Sequence, residues 1–202
     1  MTDSVKPRAR AAADKRRRLT TEAARILHER GVERTTLADI ARAADVPVGN
    51  VYYYFKTKDD LVLAALSEHS AHLDEITGRL DELADPRERL KTLVQGWIDQ
   101  REVAARFGCP TGTLAVELDK RADGTLDAEA GAVIRRLLEW TGRQFGELGL
   151  PDPEGLAVTL VSAYQGMSLL TNALRDPEIT AHEGARLLDW LDSLEASGPQ
   201  KG

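Results

Sequence analysis

What this chain lacks narrows its class before any motif is read. Cys109 is its single cysteine in 202 residues, so no intramolecular disulfide can form, and such sparing use fits a reducing compartment. No run of about 18 or more apolar residues is present, which excludes a membrane-spanning helix. No apolar stretch follows the basic residues near the N-terminus, as a secretory signal requires, so a cytoplasmic location is expected. The alternation of a half-buried strand is missing throughout. So are a nucleophile elbow, a phosphate-binding glycine loop and a paired-cysteine motif. No catalytic group is assigned, an enzyme is not expected, and no cofactor is implied. His69 and His72, three apart on one helix, have the spacing of a metal pair, but no third ligand lies near in sequence and no metal site is assigned.

Charge is abundant but unevenly placed. The net charge is −6, yet residues 1–60 carry thirteen Lys/Arg against nine Asp/Glu, while residues 61–202 carry fourteen against twenty-four. A basic first third joined to an acidic remainder suits a chain that meets a polyanion at one end, and the acidic part discourages contact elsewhere.

The most informative stretch is Thr35 to Lys58, TTLADIARAADVPVGNVYYYFKTK. Leu37, Ile40, Ala41 and Ala44 form the apolar stripe of a short amphipathic helix. Thr36 and Asp39 stand at capping-box spacing ahead of it. Asp45 and Val46 break the pattern, and Pro47 suits the first turn of a second, very short helix. Val51 and Phe55 supply its buried side, with Val48, Gly49, Tyr52 and Tyr53 on or beside the outward face. Two such helices joined by a tight turn make a helix-turn-helix, whose second helix presents its first residues to base edges in the major groove. Gly49 permits close approach to a backbone, and Tyr52, Tyr53 and Lys58 offer donors to phosphates. The same periodicity also fits an ordinary Ala-rich helix pair with part of the tyrosine run in its core.

The run from Thr36 to Leu61, ending in GNVYYYFKTKDDL, resembles the DNA-binding signature of the TetR family of bacterial transcriptional repressors. The motif-bearing part covers roughly residues 15–65; beyond it only length and helical pattern fit. The resemblance implies a DNA-contacting set of Arg17, Arg18, Thr36, Pro47, Val48, Gly49, Asn50, Tyr52, Tyr53, Tyr54 and Lys58. The sequence departs from the family pattern at Pro47, where a hydroxyl residue is common, and at Val48, where a polar or basic one is. An apolar Val48 suits contact with a thymine methyl instead.

Taken in order, residues 1–14 read as a flexible arm, 15–57 as the helix-turn-helix head, 58–196 as a helical effector-binding and dimerisation body, and 197–202 as a flexible tail. The class is all-α, with about nine helices, three in the head and six in the body. Gly31 is a C-cap candidate for the first helix. The Thr57–Asp60 box opens a long helix whose stripe continues to about Ala84, roughly 40 Å at the usual rise. Asp85-Pro86, Asp127 and Asp152-Pro153 read as later helix starts, and Asp176-Pro177 as an interruption before a final helix from about Thr180 to Leu194. Phe107-Gly108-Cys109-Pro110 and Asp123-Gly124 read as breaks.

In the resembling family the body helices surround an effector cavity. The residues expected there are His69, Trp97, Arg101, Phe107 and Cys109, together with Leu114, Trp140, Gln144, Tyr164 and Met167, although the aromatic ones serve equally as core filler. The segment from Leu156 to Leu174 mixes small residues with large aliphatics. With the last helix it implies a four-helix dimer contact through Leu156, Leu160, Ala163, Gly166, Leu170, Gly184, Leu188 and Leu191. The whole reads as a ligand-responsive regulator, most simply a repressor. It is expected to bind an inverted-repeat operator in double-stranded DNA as a homodimer, and to be released by a small apolar or amphipathic effector of unknown identity. The alternative is a small-molecule sensor whose helix-turn-helix no longer reads specific DNA.

Overall fold

The computed structural model describes residues 5–120 and 126–195, with side chains from residue 9 onward. Among these residues all regular structure is helical: α1 Val5–Arg30, α2 Leu37–Ala43, α3 Val48–Tyr54, α4 Lys58–Leu80, α5 Pro86–Asp99, α6 Arg101–Phe107, α7 Pro110–Asp119, α8 Leu126–Glu147, α9 Pro153–Leu174 and α10 Pro177–Ser193. Short-range chemistry sets most of the starts. Capping boxes close both α2, between Thr36 and Asp39, and α4, between Thr57 and Asp60. Asp85, Asp152 and Asp176 each cap a helix whose first residue is proline, a position where the missing N–H is no loss.

Several expected boundaries move. The described part of the expected N-terminal arm is helical, because α1 already starts at Val5; Ala9 and Ala11 to Ala13 favour the helix, and Pro7 falls within its first turn. Helix α4 ends at Leu80 rather than about Ala84, with Asp81 as its C-cap, so it is about 35 Å long. The expected helix after Asp85 is divided at Gln100, which ends α5 and begins α6 at φ −93° and ψ 10°. That division gives ten helices among the described residues, where about nine were expected. Asp127 lies inside the first turn of α8 rather than capping it, while the Asp123-Gly124 break and the 197–202 tail fall outside the described residues.

Two hydrophobic cores organise the chain. The first joins Leu19, Ala23, Ile26 and Leu27 of α1, Ile40 and Ala41 of α2, Val51 and Phe55 at α3, and Leu61, Val62, Ala64, Ala65 and Leu66 of α4. It does not stop at the head: Leu114 and Leu118 of α7, then Leu126 and Ala130 of α8, belong to it. The second is built from Leu90, Leu93 and Val94 of α5, Leu137, Trp140 and Phe145 of α8, Leu160 and Met167 of α9, and Leu187 and Leu191 of α10. Helix α7 therefore has one face in the core that supports α3, and its start lies against the body. No described helix is long and apolar enough to cross a membrane.

Candidate DNA-binding face and ligand cleft

Helix α3 is seated by Val51 and Phe55, which are almost wholly buried. Its other side is open: Val48, Tyr52 and Tyr53 are exposed, Tyr53 the most at 75%, and Pro47, Gly49 and Asn50 are exposed beside them. Pro47 is the N-cap, one position before the helix, and makes no side-chain cap bond. Tyr54 is only partly buried, packs on the first core and meets the Tyr53 ring edge-on, so it supports the face more than it belongs to it. Lys56 Nζ donates to the Tyr52 carbonyl at 2.9 Å and ties down the end of α3.

The other expected contacts are placed less simply. The Thr36 hydroxyl donates to the Asp39 carboxylate at 2.5 Å and accepts the Asp39 N–H at 3.2 Å; the hydroxyl bond, then the Thr36 N–H at 3.1 Å, hold the Asp39 carboxyl below its ordinary range. Arg17 pairs with Asp14 at 2.8 Å, and Arg18 lies 3.5 Å from Asp14 and 3.8 Å from Asp45. Being surface pairs, these exchange readily for phosphates. Arg16 lies 5.4 Å above the Phe55 ring, linking α1 to the end of α3. Lys58 opens α4 directly after this face.

The expected effector residues separate into groups. Trp97 and Tyr164 stack at 4.2 Å with planes 15° apart; with Met167, His28, Val103 and Thr180 they line an inner cavity of about 30 Å³, room for little more than a water. Burial, then the adjacent Cys109 side chain, pushes the Tyr164 hydroxyl well above its usual pKa. Cys109 caps α7, its Sγ accepting from the Gly112 N–H at 3.3 Å. It lines an outer cleft of about 420 Å³ together with Gly112, Val116, Gln165, Leu169 and Asn172, a volume in the range of small-molecule sites. Gly108 and Ser168 border both spaces.

The other six line neither. Leu114 is buried in the first core. Trp140 donates to Asp81 at 2.9 Å and packs in the second core, while buried Gln144 accepts from Arg89 at 2.9 Å. Arg101 donates to the Ile98 carbonyl. Phe107 meets His28 edge-on at 5.7 Å. His69 is largely buried, and desolvation, then His28 and His72, lowers its pKa from 6.5 to about 4. Sequence reasoning gave these side chains to a cavity because they are large or polar; most complete the packing instead. It missed His28, a head residue that reaches the body: its Nε2–H donates to the Gly108 carbonyl at 2.9 Å, and burial lowers its pKa against that bond. No local pattern marks His28, since its role depends on the α6–α7 break eighty residues later.

With this geometry in place, the family model described as bacterial regulatory proteins, tetR family, matches residues 19–65, which span the last part of α1 through α4's first turns. An HTH-type transcriptional regulator of Mycobacterium tuberculosis is 27% identical over 168 residues, 80% of this chain and 86% of that protein. The HTH-type transcriptional regulator TtgR of Pseudomonas putida is 38% identical over 85 residues, 39% of this chain and 40% of its own. The crystal structure of a TetR-family transcriptional regulator from Agrobacterium tumefaciens superposes with a TM-score of 0.78 at 19% identity, covering 89% of this chain and 98% of that one. Residues 19–65 therefore carry the DNA-binding region of the TetR family. The protein is a helix-turn-helix DNA-binding transcriptional regulator, and the family is one of regulators rather than enzymes. TetR-family proteins bind DNA and typically dimerise.

Helix α9 has the fewest charged residues of the body helices. Between Glu154 and Arg175 it carries no charged residue. Yet Val158, Leu169, Leu170 and Leu174 are more than half exposed, with Ser162 and Gly166 open between them. The expected dimer residues divide accordingly. Gly166 and Leu170 face outward. Leu160 and Leu191 are fully buried within the protomer, and Gly184 is packed so closely on Ile98 that an added Cβ would lie 2.4 Å from it. Leu156, Ala163 and Leu188 are partly buried against the second core. The misplaced residues were chosen from an apolar helix whose two faces read alike.

Proposed function

We propose that this protein is a ligand-responsive repressor that binds an inverted-repeat operator as a homodimer and is released by a small apolar or amphipathic molecule. The observation that carries the reading is the double attachment of α7. Leu114 and Leu118 lie in the core that seats α3, while Cys109, Gly112 and Val116 line the cleft. At its far end Glu117 accepts the Glu33 N–H at 2.8 Å, in the turn between α1 and α2. A ligand that displaces α7 therefore moves the head. The operator favours one head spacing and the ligand another, so each weakens the other by the same factor, typically about 5- to 150-fold. Alongside the α4 rod, this offers a shorter path from cleft to head.

A recognition helix of seven residues reads few base pairs. A twofold pair doubles the site, and the exposed α9 stripe is where the second copy is placed. Gly166→Asp and Leu170→Asp are expected to split the dimer and abolish operator binding with the head still folded. An unchanged dimer in sedimentation would move the interface elsewhere. Selection of bound sequences from random DNA tests the whole reading, with a two-fold symmetric consensus as the expected result. The second reading, a sensor without specific DNA readout, is favoured by one observation: α3 begins with Pro47 and Val48, which supply no polar side chain. No enriched sequence would support it.

A further inference from the structure

We propose that the outer cleft is a ligand site completed by a second copy of this chain, and that it takes an uncharged, amphipathic molecule carrying a hydrogen-bonding group. This rests on the α9-mediated dimer proposed above. The floor of the cleft comes from the start of α7 and from Gln165 and Ser168 of α9, and its lip from Val116 and Leu169, which are 62% and 67% exposed. Leu169 belongs at once to the lip and to the charge-free outward stripe of α9. A copy laid on that stripe covers Leu169 and with it the mouth of the cleft; one protomer alone leaves the site open.

The hydrogen-bonding requirement comes from Ser168. It is 3% exposed, and its Oγ has no partner among the described residues. Every other buried hydroxyl of the body is paired: Thr77 with the Leu73 carbonyl, Thr141 with that of Leu137, and Thr171 with Thr180 at 2.8 Å. A buried serine on a helix ordinarily bonds the carbonyl one turn back, and an unmet one costs free energy. Ser168 stands in the wall between cleft and inner cavity with that capacity unused, beside a Gln165 amide held only by a long 3.6 Å contact to Cys109 Sγ. Absence of net charge follows from the lining. Its ionisable members are Glu117, already engaged by Glu33, Lys120 at the rim and the Cys109 thiol. An ion brought to the floor would lose its water without a partner.

The test uses N-phenyl-1-naphthylamine, an uncharged arylamine with one N–H that fluoresces when removed from water, with the full chain. Leu170→Asp breaks the dimer without touching the cleft. Gly112→Met fills the floor by displacing the flexible Gln165 side chain, away from the α9 stripe. Circular dichroism checks folding and sedimentation checks assembly for both. The wild-type dimer is expected to bind the probe, the probe to tighten dimerisation, and monomeric Leu170→Asp to bind about tenfold or more weakly, as linkage requires. Gly112→Met is expected to stay dimeric and lose the probe. Wild-type affinity in monomeric Leu170→Asp would overturn the proposal, as would unchanged binding to Gly112→Met or no binding to the wild-type dimer. A wild-type chain that sediments as a monomer without probe would instead defeat the dimer reading itself.

Discussion

The two cores differ in what they admit. The one beneath α3 is aliphatic, with Phe55 as its buried aromatic ring, and its buried hydroxyls, Thr20 and Thr35, each turn back to a carbonyl four residues earlier. The other holds Trp140 and Phe145, packs Trp97, Tyr164 and Trp190 at its edge, and is crossed by polar links such as Thr171 to Thr180 and Arg89 to Gln144. A dry, close-packed core has one good arrangement. Polar links between helices can be remade with different partners, and an incomplete set, as at Ser168, leaves work for a ligand. In the proposed mechanism the head would therefore move as a body while the second core rearranges.

The largest expected effect tests whether the cores are separate. Phe55→Ala and Phe145→Ala should each cost about 3–5 kcal/mol. Because α4 and α8 contribute to both cores, either variant should still melt in one calorimetric transition; two transitions would show that they unfold independently.

Next in size is the junction between them, where His28 and His69 are buried. For a histidine whose folded pKa is lowered, the folded state binds fewer protons than the unfolded one as pH falls below 6.5, so stability is present at neutral pH and lost on acidification. With His69 moved from 6.5 to about 4, the loss approaches about 3 kcal/mol at pH 4. Urea denaturation at pH 7 and pH 4 measures it, and His69→Gln should remove most of the difference. An equal loss in that variant would place the acid sensitivity elsewhere.

Smaller still, Thr57→Ala removes the cap of α4 and should cost about 1 kcal/mol, a shift visible in the urea midpoint. The finest comparison lies on the DNA face. Lys58→Ala should weaken operator and random DNA alike and lower the salt slope by about one per subunit, while Val48→Ala should change the selected sequence. If Lys58→Ala rewrote that sequence and Val48→Ala left it intact, the assigned roles would be reversed.

What was legible in the sequence is what short-range chemistry decides. The boxes at Thr36 and Thr57 and the Asp-Pro starts at Asp85 and Asp152 are local, and they stand where expected, while α10 begins at Pro177 rather than about Thr180 because Asp176 caps it. The overrun of α4 came from Leu83, which continues the apolar stripe beyond the Asp81 cap. The division at Gln100 has neither proline nor glycine to announce it. On α3 the faces could be told apart, because Val51 and Phe55 contrast with their neighbours. On α9 they could not: Leu160 and Leu170 look the same in a run without charge, and only packing against α8 and α10 separates them. His28 and Ser168 gain their meaning from elements far away in the chain.

Gly108 lies where α6 hands over to α7. Its φ is +76°, an added Cβ would stand 2.8 Å from the Thr113 methyl, and its carbonyl holds His28. Every residue reachable from a glycine codon by one base change carries a Cβ and is strained there. Heritable variation at this point of the chain is therefore closed off. If the cleft takes a small molecule as proposed, a change of ligand falls instead on positions such as 116, 165 and 169, where side chains can be exchanged without disturbing the bond that joins body to head. Change and constancy would thus fall on different residues lining the same cleft.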